Sequence, residues 1–496
     1  MAEKNYLNEL FQVRGLEMPT AAEPLIGTGL VPASHGEMEV SGDTRFMSAL
    51  AALLYNVEPV EDEAGQVRFD KGEVMKAVAR VDELIEAQMN EILHNEKFQK
   101  IEATWRGLED LANNTNFQAD ITIDILDVAK EELDEDFEKN SSSIFSSALF
   151  EKMYIKEYDQ FGGKPYGVML GLYDFSSSRS DLTWLERMGK IANAAHCPFI
   201  SAVSPKFFDC ESIEQLESIK NLDGVLSHPR YAKWNELREK EEAAYIGLTL
   251  PRYVVRLPWD PERNPCELLN FKEDAQGDSK KYLWGNAAYL MGRNLVKAFE
   301  LSGWCQSIRG PKGGGLVSGL PVDAFNLRGQ KMIQAPVEIA IPDYREYEFA
   351  RNGFIPLVYR KGTGEATFFS TQSIKRAKKF RDPKDSENAQ LVTNLAYTFS
   401  ITRLAHYIKS IMRDNIGSTA DAGYAQGQIE AWLSGYITTV VNPDDVTLRR
   451  FPFKASSVMV EARPGEIGWY DCKVAVLPHV QFEGLNVELM LESRLG

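Results

Sequence analysis

The 496-residue chain has little of what side-chain chemistry normally requires. Its five cysteines (Cys197, Cys210, Cys266, Cys305, Cys472) are scattered, odd in number and never form Cys-x-x-Cys. That pattern excludes a disulfide framework and a paired-thiolate metal site, and reads as reduced, buried thiols of a cytoplasmic protein. Six histidines (His35, His94, His196, His228, His406, His479) lie far apart, with no His-Glu-x-x-His and no Cys/His quartet, so no metal motif is present. No apolar run approaches the roughly 20 residues needed to cross a bilayer. The opening MAEKNYLNELFQVRG lacks the apolar core and cleavage site of a secretory signal. Positive charge is also short, with 55 Lys and Arg against 72 Asp and Glu, a net charge of −17. Nucleic-acid binding and docking on an anionic membrane both need a cationic surface, so both are disfavoured.

What is present is enough apolar residue, 44%, to bury substantial cores, and enough length for roughly two to four domains. Residues 1–60 read as an arm. Leu7, Leu10 and Phe11 share one face of a short amphipathic turn, and a Pro/Gly-rich tether follows. Val74, Val78, Val81, Ile85, Ile92, Phe98, Ile101, Trp105 and Leu108 recur at helical spacing and predict helix over 71–112. ADITIDIL (119–126) alternates and predicts a half-buried strand. From Tyr166 the pattern becomes strand (166–175), helix (181–196), strand (197–204), helix (211–220), which favours parallel pairing. TLPRYVVRLPW, a helix over 282–300 and APVEIAI (335–341) follow. The charged stretch KRAKKFRDPKDSE (375–387) reads as a solvated connector, ahead of helices over 388–413 and 424–437.

The glycine-rich loop LSGWCQSIRGPKGGGLVSGLP (301–321) invites a phosphate-binding reading and fails it. Lys312 precedes the glycines, no Ser or Thr follows a Gly-Lys, and the loop leaves a helix instead of entering one. Glycines for tight backbone packing are the better account. His196 and Cys197 are sequence neighbours, which rarely face each other as a dyad. No Gly-x-Ser-x-Gly elbow occurs, and Asp134, Glu135 and Asp136 read as a solvated helix face. Weight therefore moves from catalysis to interaction.

The C-terminal residues are the most regular. SSVMVEA (456–462), YDCKVAVL and LNVELMLE each alternate, with Val458 and Val460, then Cys472, Val474 and Val476, then Leu485, Val487 and Leu489 marking their apolar sides. Such a meander has an open edge, which invites a strand from another chain.

Eight segments, in order over about residues 95–491, resemble the large sheath subunit of the type VI secretion contractile tail, the TssC or VipB family. They are KFQKIEATWRGL, PFISAVSP, LTLPRYVVRLPW, YLWGNAAYL, SGWCQSIRGPKGGGLVSGLP, GFIPLVYRKGTGEATFF, SITRLAHYIKSIMRDNIGS and GWYDCKVAVLPHVQFEGLNVELML. One departure is Arg449-Arg450-Phe451-Pro452-Phe453, where the family often has an Arg-Arg-Pro-Leu-type entry to the strand.

The resemblance implies a mixed α/β and α+β fold: an arm (1–60), an α/β sheath domain (61–375), a linker (376–387) and an inner, phage-tail-sheath-like domain (388–496) whose strands join a handshake sheet between subunits. It implies no enzyme and no cofactor. The expected partners are the small sheath subunit (TssB or VipA), further copies of the chain, the Hcp inner tube and the baseplate. In many members the ATPase ClpV grips an N-terminal segment, which Leu7, Leu10 and Phe11 would supply here. The alternatives are a sheath of another phage-like contractile injection system and, from the 166–204 pattern, a nucleotide-using α/β enzyme.

Overall fold

The computed structural model describes residues 70–266, 270–275, 278–327, 330–378, 380–415, 421–440, 443–462 and 470–479, and four short strands before residue 70. The chain divides into two compact units, one of residues 1–98 with 258–275, the other of 99–257 with 276–496.

In the first unit, helix α1 (Lys71–Leu93) is nearly bare, with only Leu93 buried. Asp70 caps it by accepting from the Gly72 and Glu73 N–H groups at 2.6 and 3.2 Å. At its far end Asn90 takes the Asp274 N–H at 2.8 Å, and His94 lies 3.4 Å from the buried Glu273 carboxylate. The single helix expected over 71–112 is two, because Asn95 accepts the Lys97 N–H at 3.1 Å and starts α2 (Glu96–Asn113) afresh. Asparagine competes well for such cap positions.

The second unit is built on a mixed six-stranded sheet. Its strands are β1 (Met169–Phe175), β2 (Phe199–Val203), β3 (Ile246–Leu250), β4 (Leu316–Val317), β5 (Ile355–Tyr359) and β6 (Ala366–Phe368), in the spatial order β4-β6-β5-β3-β2-β1. β1, β2, β3 and β5 run parallel, while β6 and β4 close one side antiparallel. β2 and β3 are buried at every position, as befits parallel strands covered on both faces.

Alternation along β2 distributes the core. Phe199 and Val203 point to a cluster with Trp184, Leu185, Met188 and Phe175, while Ile200 points to one with Leu290, Met291, Leu357 and Phe399. The first face is covered by α4 (Arg179–Ala194), preceded in the chain by the acidic α3 (Lys130–Lys139). The second is covered by α5 (Ala288–Ser302) and the start of α7 (Leu395–Asp414). Asp181 joins α3 to α4, accepting from Lys130 Nζ at 2.9 Å and from the Ser176 N–H and hydroxyl at 2.7 Å each. Burial pushes its carboxyl up, yet the lysine and serine hydrogen bonds outweigh this and hold it below the usual range.

Four expectations change. Residues 119–126 pair with no strand among the described residues, and the segment opens in a short 3-10 turn (Phe117–Ala119). Asp136 is more than a solvated acid, because its carboxylate accepts the Ala148 N–H at 3.1 Å. The connector after residue 375 is partly tied down and partly helical. Lys375 is buried against Glu241, Lys378 lies 3.5 Å from Glu241, and α6 (Pro383–Val392) begins inside it. The helix expected over 388–413 is split between α6 and α7, because Asn394 takes the Ala396 N–H at 3.0 Å and caps α7.

Candidate functional site

The C-terminal hairpin grows from a platform of two helices. α7 presents Leu404, Ile408 and Ile411, and α8 (Ala422–Ser434) presents Ala425, Ile429 and Leu433, to a third apolar cluster. α8 is started by Asp421, whose carboxylate accepts the Tyr424 N–H at 2.8 Å. Strands β7 (Phe453–Ala462) and β8 (Tyr470–Pro478) lie antiparallel in register from Ala455↔Leu477 to Ala462↔Tyr470, with an irregularity between Phe453 and Ala455. β7 starts at Phe453, directly after Pro452, which has no N–H to give a ladder.

Alternation again decides the faces. Val458 and Val460 are buried, and Cys472, Val474 and Val476 half-buried, against this platform. Their side chains therefore serve the chain's own helices. Met459 and Leu477 project from the opposite face, about half exposed. Burial pushes the Cys472 thiol up, which disfavours its thiolate form. Leu485, Val487 and Leu489 lie outside the described residues, as do Leu7, Leu10 and Phe11. Among the described residues, no strand pairs with the outer edge of β8, and β7 meets only a one-residue bridge, Phe453 to Ile437.

An aromatic joint fixes the hairpin to the sheet. Trp304 packs edge-on against Tyr436 at 5.1 Å and Phe453 at 5.4 Å. Arg403 of α7 lies over Phe299 at 4.3 Å and Tyr407 at 4.8 Å. The sequence reading passed over these residues. Trp304 sits just after Gly303, the left-handed end of α5, where φ is +74°. A tryptophan fixed at such a helix end was the available signal.

The glycine-rich loop belongs to the same joint. The Gly310 N–H donates to the Phe368 carbonyl at 2.7 Å, and the Phe368 N–H returns to the Gly315 carbonyl at 3.0 Å. The Lys312 carbonyl accepts from Arg449 at 2.6 Å. Gly314 has φ +93°, and a Cβ there would land on the Ser307 carbonyl. The loop's Gly310 and Gly315 amides thus bond protein carbonyls, and its glycines allow close backbone approach.

The remaining sequence candidates do not assemble a reaction centre. Cys197 is fully buried in the first cluster and its thiol is pushed far up by burial. His196 faces Tyr245, 3.3 Å away, so the adjacent pair diverges. Among the described residues, no group of three His, Cys, Asp or Glu is placed to hold a metal, and no helix is long and apolar enough to cross a membrane.

Comparison with known proteins fits this architecture. The VipB family model (EvpB/VC_A0108, tail sheath N-terminal domain) matches residues 75–375, and VipB_2 (EvpB/VC_A0108, tail sheath gpW/gp25-like domain) matches 384–495. The type VI secretion system sheath protein TssC1 of Pseudomonas aeruginosa is 40% identical over 422 residues, covering 84% of this chain and 85% of that protein. Solved structures with fainter likeness include the contracted helical sheath of the anti-feeding prophage, at TM-score 0.29 and 10% identity over 61% of this chain and 64% of that one. The contracted PVC sheath complex of an extracellular contractile injection system scores 0.31 at 8% identity, over 61% and 68%. The class is thus a structural sheath protein, not an enzyme. The chain belongs to the VipB tail-sheath family and is a structural subunit of a type VI contractile sheath.

Proposed function

We propose that the chain works in the cytoplasm as the large sheath subunit, pairing with a small subunit of the TssB or VipA kind. In this reading the pairs polymerise around an Hcp tube from a baseplate, and contraction drives the tube forward. The arm (1–60) reaches neighbouring subunits, the 61–375 domain forms the outer body, and 388–496 forms the inner layer behind the 376–387 connector. Leu7, Leu10 and Phe11 offer the apolar grip for a ClpV-type ATPase.

The observation that carries this reading is the β7–β8 hairpin, seated on its own helices and forming a two-stranded sheet among the described residues. A two-stranded ribbon is marginal alone and is completed by further strands. An exchanged strand with about four to six hydrogen bonds, each worth a net ~0.5–1.5 kcal/mol, supplies several kcal/mol per link. Such links hold while rigid bodies rotate between two packings.

Along β8, neighbouring N–H groups point to opposite sides. Val474→Pro and Ala475→Pro therefore remove one donor toward β7 and one toward the free edge. Both variants are expected to stop sheath polymerisation, whereas only the β7-facing one disturbs the hairpin itself. Normal tubes from both, by electron microscopy, would overturn the proposal.

A further inference from the structure

Residues 151–158, Glu-Lys-Met-Tyr-Ile-Lys-Glu-Tyr, form a π-helix that runs on from the short α-helix Ala148–Phe150. The bonding interval changes along this run. The Glu151 N–H reaches back four residues to the Ser147 carbonyl at 3.0 Å, whereas the Asp159 N–H reaches back five, to the Tyr154 carbonyl at 2.7 Å. Side chains follow the longer interval. Lys156 pairs with Glu151 at 3.0 Å, and the two buried residues of the segment, Met153 and Tyr158, are also five apart. On an α-helix, neighbours on one face are three or four apart. π-turns are rare, mostly single and frequent at functional positions, so eight residues of π-helix call for a cause.

The cause is not local. The segment contains no Pro or Gly, and its Glu, Lys and Met residues are good α-formers. Its aromatic residues keep the α interval, since Phe150 stacks on Tyr154 at 4.7 Å and Tyr154 meets Tyr158 at 5.2 Å. What holds the five-residue register is a grip from α7 on the far end. Lys409 lies 4.0 Å over the Tyr158 ring and 2.6 Å from the Asp159 carboxylate. Arg413 donates to the Tyr158 and Gln160 carbonyls at 2.5 and 2.7 Å, and the His406 ring meets Tyr158 at 5.3 Å. The same helix gives Leu404, Ile408 and Ile411 to the cluster of the hairpin platform. Phe150, Met153 and Tyr154 belong instead to the first cluster, in the sheet body. The π segment therefore stands between body and platform.

We infer that residues 151–158 are a two-register joint, π-helical in one form of the sheath and α-helical in the other. The change of register resets the grip of Lys409 and Arg413, and with it the seat of the hairpin platform on the body. The residue order serves both registers. Intervals of four suit Phe150, Tyr154 and Tyr158, while intervals of five suit Met153 with Tyr158 and Glu151 with Lys156. Packed elements with two discrete arrangements are what turn small shifts into large ones. Two arrangements of similar free energy can each be populated in turn.

The inference rests on the contractile function proposed above and names the place within the subunit where that motion is absorbed. Structures of wild-type sheath in its extended and contracted forms test it. In one form the Asp159 N–H should donate to the Tyr154 carbonyl, in the other to that of Ile155, four residues back. A second arm deletes Ile155, which is about half exposed. The deletion brings Glu151 and Lys156, Met153 and Tyr158, and Tyr154 and Asp159 each to an interval of four, which an α-helix satisfies. That variant should assemble with the small subunit yet lose passage between the two forms. The same register in both wild-type forms would overturn the inference even if the tubes contract normally. So would a deletion variant that still switches; if it fails to fold, the wild-type structures decide. Wild-type chains that form no tube would instead remove the contractile reading, and this inference with it.

Discussion

The sheet body and the C-terminal hairpin solve the burial problem in opposite ways. In the body, Trp184 is 1% exposed and its ring lies 5.1 to 5.9 Å from Phe137, Phe175, Phe199 and Tyr173. Central strands β2 and β3 are covered on both faces. The hairpin has one covered face, with Met459 and Leu477 on the other, and Val440 and Val446 nearby are 58% and 65% exposed. A body that completes its own core can act as a rigid lever. A ribbon that does not can pass between neighbours without dismantling that lever.

The contrast sets the order of effects. Trp184→Ala empties the densest aromatic contact and is expected to cost about 3–5 kcal/mol in urea denaturation, removing folded chain and sheath together. A loss under ~1 kcal/mol would mean the body is looser than described. Gly314→Ala forces a side chain into a left-handed backbone and onto the Ser307 carbonyl. It should cost roughly 2–4 kcal/mol and loosen the joint between β6 and the hairpin platform. Val474→Ala is expected to cost less, about 1–2 kcal/mol, since the site is only half-buried. Its tubes should still form, because side-chain truncation spares the edge N–H groups.

The smallest effect is a pH dependence at the seam between α7 and α4. His406 of α7 donates from Nε2 to the Ala195 carbonyl, 3.2 Å away, beside Tyr158, His196 and Arg403. Burial, opposed by the Ala195 carbonyl and reinforced by the His196 and Arg403 charges, lowers its pKa to about 4. His196 is lowered too, by burial and then Lys409. With folded pKa values below the unfolded 6.5, protonation favours the unfolded chain. The stability they confer is complete above about pH 7 and declines as pH falls from 6.5 toward 4. Between pH 7 and 5 the loss at His406 should be roughly 1 kcal/mol, allowing for its partial exposure. His406→Gln should flatten that slope in denaturation measured across this range.

Much of this was legible from residue order. The runs at 166–175 and 197–204 became β1 and β2, because buried parallel strands need continuous apolar sequence and leave a plain trace. The alternation at 456–462 and in YDCKVAVL became β7 and β8. Alternation tells which residues share a face, but not what covers it. Val458 and Val460 read as members of intersubunit strands, and within this chain their side chains pack in the cluster with α8. The helix breaks at Asn95 and Asn394 were hidden inside periodic apolar runs, where a cap residue looks like an ordinary polar position. The alternating 119–126 shows the converse, since an alternating run need not become a strand, and among the described residues it joins none.

The most direct measurement is electron microscopy of the full chain co-expressed with a candidate small sheath subunit. The account predicts long hollow tubes in which β8 pairs with strands from adjoining subunits, and their disappearance with Val474→Pro and Ala475→Pro. Discrete, monodisperse particles from the wild-type pair, with the outer edge of β8 covered by residues of its own chain, would contradict it.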